Sequence, residues 1–213
     1  MGTVGERKNS RAGQETRDRI LDAALETVRA EGLVGTSARA IARNGDFNQA
    51  LVFYHFGSLE ELLLAALQRA NDRRMNRYRG RLEGCGSLPE LVAVASDLHC
   101  SDDTDPDHMA LTAIVAGWSA SSDVGKRIVE ILRPWDDLVE GALQRSLAGT
   151  PLGQLVPTGD LAHAVSCLFL GIEMMNRLDP ADRRAESLFA SLAAAAELSG
   201  PFLEAMRSSA PAR

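Results

Sequence analysis

The sequence is poor in the features that mark most other protein classes. No apolar run approaches the roughly 18 residues that a membrane-spanning helix needs, and the longest, around Cys167–Ile172, is short enough to be the core of a helix. Nothing points to a membrane partner. The three cysteines, Cys85, Cys100 and Cys167, are odd in number, widely spaced and without a C-x-x-C pair, which excludes a disulfide framework and a structural zinc site. Aromatics make up 5% of the chain, and β-branched and aromatic residues never alternate with polar ones over a useful length, so strands are not expected. Only Lys8 and Lys126 are lysine among the 23 basic residues. A glycine-rich phosphate loop is missing, and Gly117-Trp118-Ser119-Ala120-Ser121 lacks the final glycine and preceding strand of a nucleophile elbow. With no nucleophile, base, metal set or cofactor motif to rest on, an enzyme is not expected. The first fourteen residues are polar and basic without an apolar segment, so the protein is expected to be cytoplasmic with reduced thiols.

What is present is an ordinary globular composition, with 45% hydrophobic and 24% charged residues in 213, enough to bury a real core. The net charge of -6 conceals an asymmetry. Residues 1–83 carry 14 Lys+Arg against 11 Asp+Glu, and residues 84–213 carry 9 against 18. Only the first segment can approach phosphates without strong repulsion.

Apolar residues recur at helical spacing almost everywhere, which predicts an all-α protein. The first helix is expected from about Thr16 to Glu31, with Ile20, Leu21, Ala24, Leu25 and Val28 on one stripe, a stop at Gly32, and Leu33 folding back onto that stripe. Thr36 is the expected N-cap of a short second helix ending near Asn44-Gly45, and Asn48 that of a third, reaching about His55. Ser58 and Glu61 read as the capping box of a long fourth helix, Leu59 to about Leu82. Further helices are expected at 88–99, 108–119 and 123–147, the last kinked or split at Pro134, then at 160–178 and 180–199, where Gly200-Pro201 ends the pattern. Ala148–Thr158 reads as a loop. The cluster His99, Cys100, Asp102, Asp103, Asp105, Asp107 and His108 lacks the glycine and glutamate of a calcium loop, and is read as a solvated acidic connection with no metal.

Three helices of about 16, 8 and 8 residues joined by tight turns have the proportions of a helix-turn-helix. Phe47, Val52 and Phe56 are placed to pack inward, which turns Asn48, Gln49, Ala50, Leu51, Phe53 and Tyr54 outward. In a major groove Gln49 suits adenine, while Ala50 and Leu51 suit thymine methyls. From Thr16 to Leu67, through Thr36, Ile41-Ala42, Tyr54-His55-Phe56, Ser58 and Glu60-Glu61-Leu62-Leu63, the sequence resembles the DNA-binding domain of the TetR family of transcriptional regulators. The resemblance implies that Thr36 and His55 occupy phosphate-binding positions and that Gln49, Ala50 and Leu51 read bases. It also implies a helix-turn-helix head joined by a long helix to a larger helical domain, a double-stranded, palindromic operator and a small-molecule effector. Phe53, Gly57 and Leu59 depart from the family's usual tyrosine and lysines and remove phosphate contacts, for which Arg7-Lys8-Arg11 and Arg17 are the expected compensation. The resulting organisation is a flexible basic arm at 1–14, a DNA-binding domain at 15–57, and a ligand-binding and dimerisation domain at 58–213.

In the last of these, Met109, Trp118, Trp135, Phe169 and Glu173 are candidate ligand contacts for a small apolar or amphipathic molecule, with Thr112 and Ser119 as polar companions. A carboxylate at 173 amid Leu168–Met175 must find a partner. Leu161, Val165, Leu168, Ile172 and Met175 form one stripe and Leu188, Leu192 and Ala195 another, which predicts a homodimer seam. The expected function is a repressor released from DNA by its ligand, the alternative being a small-molecule carrier with a vestigial DNA-binding head.

Overall fold

The computed structural model describes residues 4–102, 104–118, 122–155, 157–179 and 181–208. Among them every regular element is helical: α1 (Val4–Gly35), α2 (Ala38–Asn44), α3 (Ala50–Phe56), α4 (Leu59–Gly84), α5 (Leu88–Asp102), α6 (Pro106–Trp118), α7 (Ser122–Leu147), α8 (Pro151–Leu155), α9 (Thr158–Leu178) and α10 (Arg184–Ser208). The chain divides into two compact units. One comprises the chain up to Arg74 with Thr104–Ile131, the other Met75–Asp103 with the chain from Leu132 onward.

The first unit is built on the apolar stripe of α1. Ile20, Ala24 and Val28 are wholly inaccessible and Leu21 and Leu25 nearly so, each large member contributing about 1.5–3 kcal/mol by leaving water. α1 begins at Val4, so Val4–Gln14 is helical where a flexible arm was expected. No proline interrupts that stretch, and i,i+4 contacts run through its end: Thr16 Oγ1 donates to Ala12 O, and Gln14 Nε2 to Asp18 Oδ1. The side chains of Arg7 and Lys8 lie outside the described residues. Gly32 does interrupt α1, at φ 68°, but Leu33 packs on α6. A Cβ at Gly117 would lie 3.1 Å from that of Leu33, so only glycine allows this approach.

Thr36 is not the cap of α2. It is buried, its hydroxyl donates to Gly32 O at 2.7 Å, and Ser37 Oγ accepts from Ala40 N–H instead. The acidic connection is not solvated either. Asp107 is buried and lies 3.4 Å from Arg73, and Asp105 lies 3.5 Å from the buried Arg74. Asp103 falls outside the described residues.

In the second unit Tyr78, Leu82, Cys85, Val94, Leu98 and Ala142 form one core cluster, and Val139, Leu143 and Ala162 another. Arg145 donates to the carbonyls of Cys85 and Leu82, groups at the end of α4 that have no partner within that helix. α7 holds Pro134 inside it, with Val139, Ala142, Leu143 and Leu147 buried beyond it. Two helix ends differ from expectation. Thr150 Oγ1 accepts from Gly153 N–H and starts α8 inside the expected loop, with Pro151 at its first position. α10 likewise runs past Gly200-Pro201 to Ser208.

Candidate nucleic-acid interface

The two short helices are locked to α1 by a turn that tolerates little change. At Gly45 a Cβ would come within 2.8 Å of Ala23 Cβ and 2.7 Å of Phe47 Cδ1, so the chain passes there only without a side chain. Asp46 follows in the left-handed region, at φ 50°, which aspartate tolerates better than most residues. Asn44 Nδ2 donates to Thr27 Oγ1 at 3.2 Å, and Arg19 lies over the Phe47 ring at 5.6 Å. The turn is thus held from both sides.

α3 follows with the division of faces that its sequence predicts. Asn48 is not the N-cap that was expected: Gln49 holds that position without a side-chain cap bond, and Asn48 Oδ1 instead accepts from Ala50 N–H at 2.9 Å in the turn before it. Val52 is fully buried, while Phe47 and Phe56 are half-buried. Arg17 lies over the Phe56 ring at 4.9 Å. Asn48, Gln49 and Ala50 are exposed, Leu51 and His55 half-buried, and Phe53 and Tyr54 present 50% and 82% of their surface to solvent. Tyr54 packs edge-on against His55 at 5.0 Å. A cleft of about 580 Å³ separates this end of α3 from α1, lined by Gln14, Thr16, Arg17, Tyr54 and His55 with Ala12 and Gly13. Gly57 closes α3 at φ 78°, a conformation that a lysine there would adopt only with strain.

Much of the basic charge of the first 83 residues is paired internally. Arg69 donates to Asp18 and Asp22, Arg73 to Asp22 and Asp107, and Arg43 to Glu31. The Arg69 hydrogen bond holds the Asp18 carboxyl below the usual carboxylate range. The Arg69 and Arg73 pairs with Asp18 and Asp22 tie α4 to α1. Glu61 N–H donates to Ser58 Oγ, but the Glu61 carboxylate turns away from the expected capping box to Arg127, whose guanidinium meets it with two hydrogen bonds of 2.6 and 2.8 Å. A charged fork outcompetes one backbone amide.

This head has a known relative in sequence. Residues 20–66 match the family described as "Bacterial regulatory proteins, tetR family". Over this segment the chain is similar to TetR-family regulators. Its similarity to the HTH-type transcriptional regulator UidR of Escherichia coli K12 is 34% identity over 79 residues, 37% of this chain and 40% of that protein. To the HTH-type transcriptional regulator SrpR of Pseudomonas putida it is 39% over 61 residues, 29% of each. The match therefore spans less than half the length of either relative. Among solved structures, the regulator FadR of Bacillus subtilis in complex with stearoyl-CoA superposes with a TM-score of 0.65 at 14% identity, over 82% of this chain and 94% of that one, a likeness of fold alone.

The remaining candidate residues fall in both units. Met109 and Trp118, both half-buried, belong to the first unit, where Thr112 is buried and donates to His108 O. Trp135, Phe169 and Glu173 belong to the second. Trp135 and Phe169 pack on the Tyr78–Ala142 cluster. Glu173, 3% exposed, has found the partner that its position demanded: His99, 6% exposed, whose Nδ1 lies 2.6 Å from Oε1. The imidazole stacks on Phe189 at 4.9 Å, and Phe169 meets Phe189 edge-on. His99 carries no sequence signal for this role, being 74 residues away. Neither the cleft beside α3 nor a second of about 300 Å³, at Glu61, Leu64 and Arg127, is lined by any of the five ligand candidates. Ser119 lies outside the described residues. Of the seam candidates, Leu161 and Val165 pack on the Val139–Ala162 cluster and Ile172 is half-buried, whereas Leu168, Met175, Leu188, Leu192 and Ala195 are exposed.

Proposed function

We propose that this chain is a sequence-specific DNA-binding transcriptional regulator, acting as a repressor, that reads the major groove of a palindromic operator with α3 as a homodimer. The observation that carries the reading is the outward face of α3: an amide, a methyl group and two aromatic side chains exposed side by side on a seven-residue helix whose other face holds the fully buried Val52. A solvated helix has no use for exposed Phe53 and Tyr54. A groove does, because aromatic and apolar groups contact sugar and thymine methyl surfaces while the Gln49 amide pairs with adenine. The face offers no lysine or arginine to grip guanine, so the centre of each half-site is read at A·T pairs.

The homodimer rests on the exposed apolar side chains of α9 and α10, with Leu168 and Met175 57% and 63% accessible, too much apolar surface to leave in water on adjacent helices. Release by a small apolar or amphipathic ligand rests on the second unit, where Trp135 and Phe169 pack on the Tyr78–Ala142 cluster and the buried His99–Glu173 pair lies against Phe189. The FadR relative in fold was solved with stearoyl-CoA bound. Such a ligand lowers operator affinity by no more than its differential affinity for the two states of the protein.

Binding to the DNA flanking the gene, at two salt concentrations and on single-base variants, tests the reading. Gln49→Ala costs about 1–3 kcal/mol at one base position per half-site and leaves the salt slope unchanged, because no phosphate contact is lost. Equal weakening on every sequence, or none, overturns the assignment of α3 as the reading helix.

A further inference from the structure

The second unit holds a constellation of nucleophile, base and carboxylate that DNA reading does not use. On α9, Cys167 Sγ lies 3.5 Å from His163 Nε2, and the other ring nitrogen, Nδ1, lies 2.8 Å from Asp136 Oδ2 on α7. The carboxylate settles the tautomer. A carboxylate oxygen only accepts, so Nδ1 carries the proton and Nε2 presents its lone pair to the thiol. The thiol proton therefore has an acceptor in place, and the resulting imidazolium has a counter-ion behind it, the arrangement that activates a sulfur nucleophile. His163 and Asp136 are 65% and 25% accessible, and Cys167 is exposed. At about 100° of helix turn per residue, Cys167 stands about 100° round α9 from Leu168 and about 80° from Met175, beside the proposed seam.

We propose that Cys167 is an oxidation site for small hydroperoxides, with His163 as its proton acceptor and Asp136 as the positioning residue. The reagent class follows from the exposed constellation itself: a small hydroperoxide needs only the sulfur and a proton donor, and both are present at Cys167 and His163. The sulfur, its proton passed to Nε2, attacks the terminal oxygen of R–O–OH. The S–O bond forms as the O–O bond breaks, and the departing alkoxide takes the proton back from Nε2 and leaves as ROH. Sulfur is oxidised to sulfenic acid by two electrons and the peroxide is reduced by two. This chemistry is independent of what α3 binds.

The other two thiols are internal references. Cys100 is exposed. Cys85 is buried, its thiol donates to Arg81 O, and burial pushes it above the ordinary thiol range. The full chain is treated with limiting hydrogen peroxide, sulfenic acid is trapped with dimedone, and each cysteine peptide is quantified. A free thiol is only a few per cent thiolate at neutral pH, so an acceptor at 3.5 Å makes Cys167 label about tenfold faster than Cys100, and Cys85 stays unlabelled. His163→Ala brings the Cys167:Cys100 ratio close to one. Asp136→Asn lowers it and Asp136→Glu restores it, a rescue that a merely structural role would not give. Labelling of Cys85 reports loss of fold, in which case His163→Gln removes the base with less disturbance. A ratio near one in the unaltered protein, or a ratio unchanged in both His163 variants, overturns the proposal.

Discussion

Replacing Glu173 with methionine tests whether His99 and Glu173 stabilise the second unit only as a pair. Both side chains are almost wholly buried, and Nδ1 and Oε1 stand 2.6 Å apart. Methionine matches glutamate in length and fills the space, so little cavity is created. What the substitution does is strand the imidazole, stacked on Phe189, with a ring N–H that has lost its carboxylate. An unsatisfied buried neutral donor costs about 1–3 kcal/mol, and a charged imidazolium left there about 3–5 kcal/mol. For a chain of this size each 1 kcal/mol lowers Tm by about 2–4 °C, so a fall of roughly 4–8 °C corresponds to the middle of the neutral range. His99→Phe with Glu173→Met removes both polar ends and keeps the stacking surface, and the double variant recovers most of the loss. Denaturant titration of the parent, both single variants and the double variant gives the coupling energy, expected at about 1–3 kcal/mol. If the two single costs simply add within about 0.5 kcal/mol, the two side chains are not coupled and His99 is not what keeps Glu173 in the core.

Three other changes probe separate parts of the molecule. Gly45→Ala destabilises the head by about 1–3 kcal/mol through overpacking against Phe47 and Ala23, with no backbone strain since φ is -87°; Phe47→Leu with Ala23→Gly in the same chain relieves the cost, and a Gly45→Ala cost left whole in that background refutes the packing explanation. The Arg127 hydrogen bond holds the Glu61 carboxyl below the usual glutamate range, so its contribution to stability is complete above that range and fades as the pH falls through the folded-state value. Glu61→Gln therefore flattens that part of the acid unfolding profile, and an unaltered profile shows the pair to be inconsequential. Leu168→Glu places a charge among the exposed apolar side chains of α9 and gives monomers in sedimentation velocity; an undisturbed dimer rejects the proposed seam.

Local physics made much of the head legible in the linear sequence. The stripe Ile20–Val28, the Gly32 break and the inward Val52 each depend on interactions within a few residues or on the period of one helix. The Tyr54-His55-Phe56 stretch pointed to the TetR family for the same reason: its side chains are sorted by the pitch of a single short helix. Some local expectations failed to local competitors and others to distant ones. Ser37 replaced Thr36 as cap because the Thr36 hydroxyl found Gly32 O, four residues back, whereas the Glu61 carboxylate turned to Arg127, 66 residues on. The acidic stretch at 105–107 looked solvated because its arginine partners lie more than thirty residues earlier, on α4.

The candidate sites divide along the same line. Periodicity alone determined that Gln49, Ala50, Phe53 and Tyr54 share an outward face, since one helix turn orders them whatever surrounds it. That Glu173 requires a partner was also determined by sequence, because a carboxylate among leucines and methionines cannot stay unpaired. Which residue answers it was decided only by the tertiary structure, which brings His99 across from α5. Asp136 was likewise set behind His163 and Cys167 by the packing of α7 against α9. Side chains distant in sequence meet only where helices cross, and the crossing is chosen by burial of their apolar faces, a property of the whole chain that no local window contains.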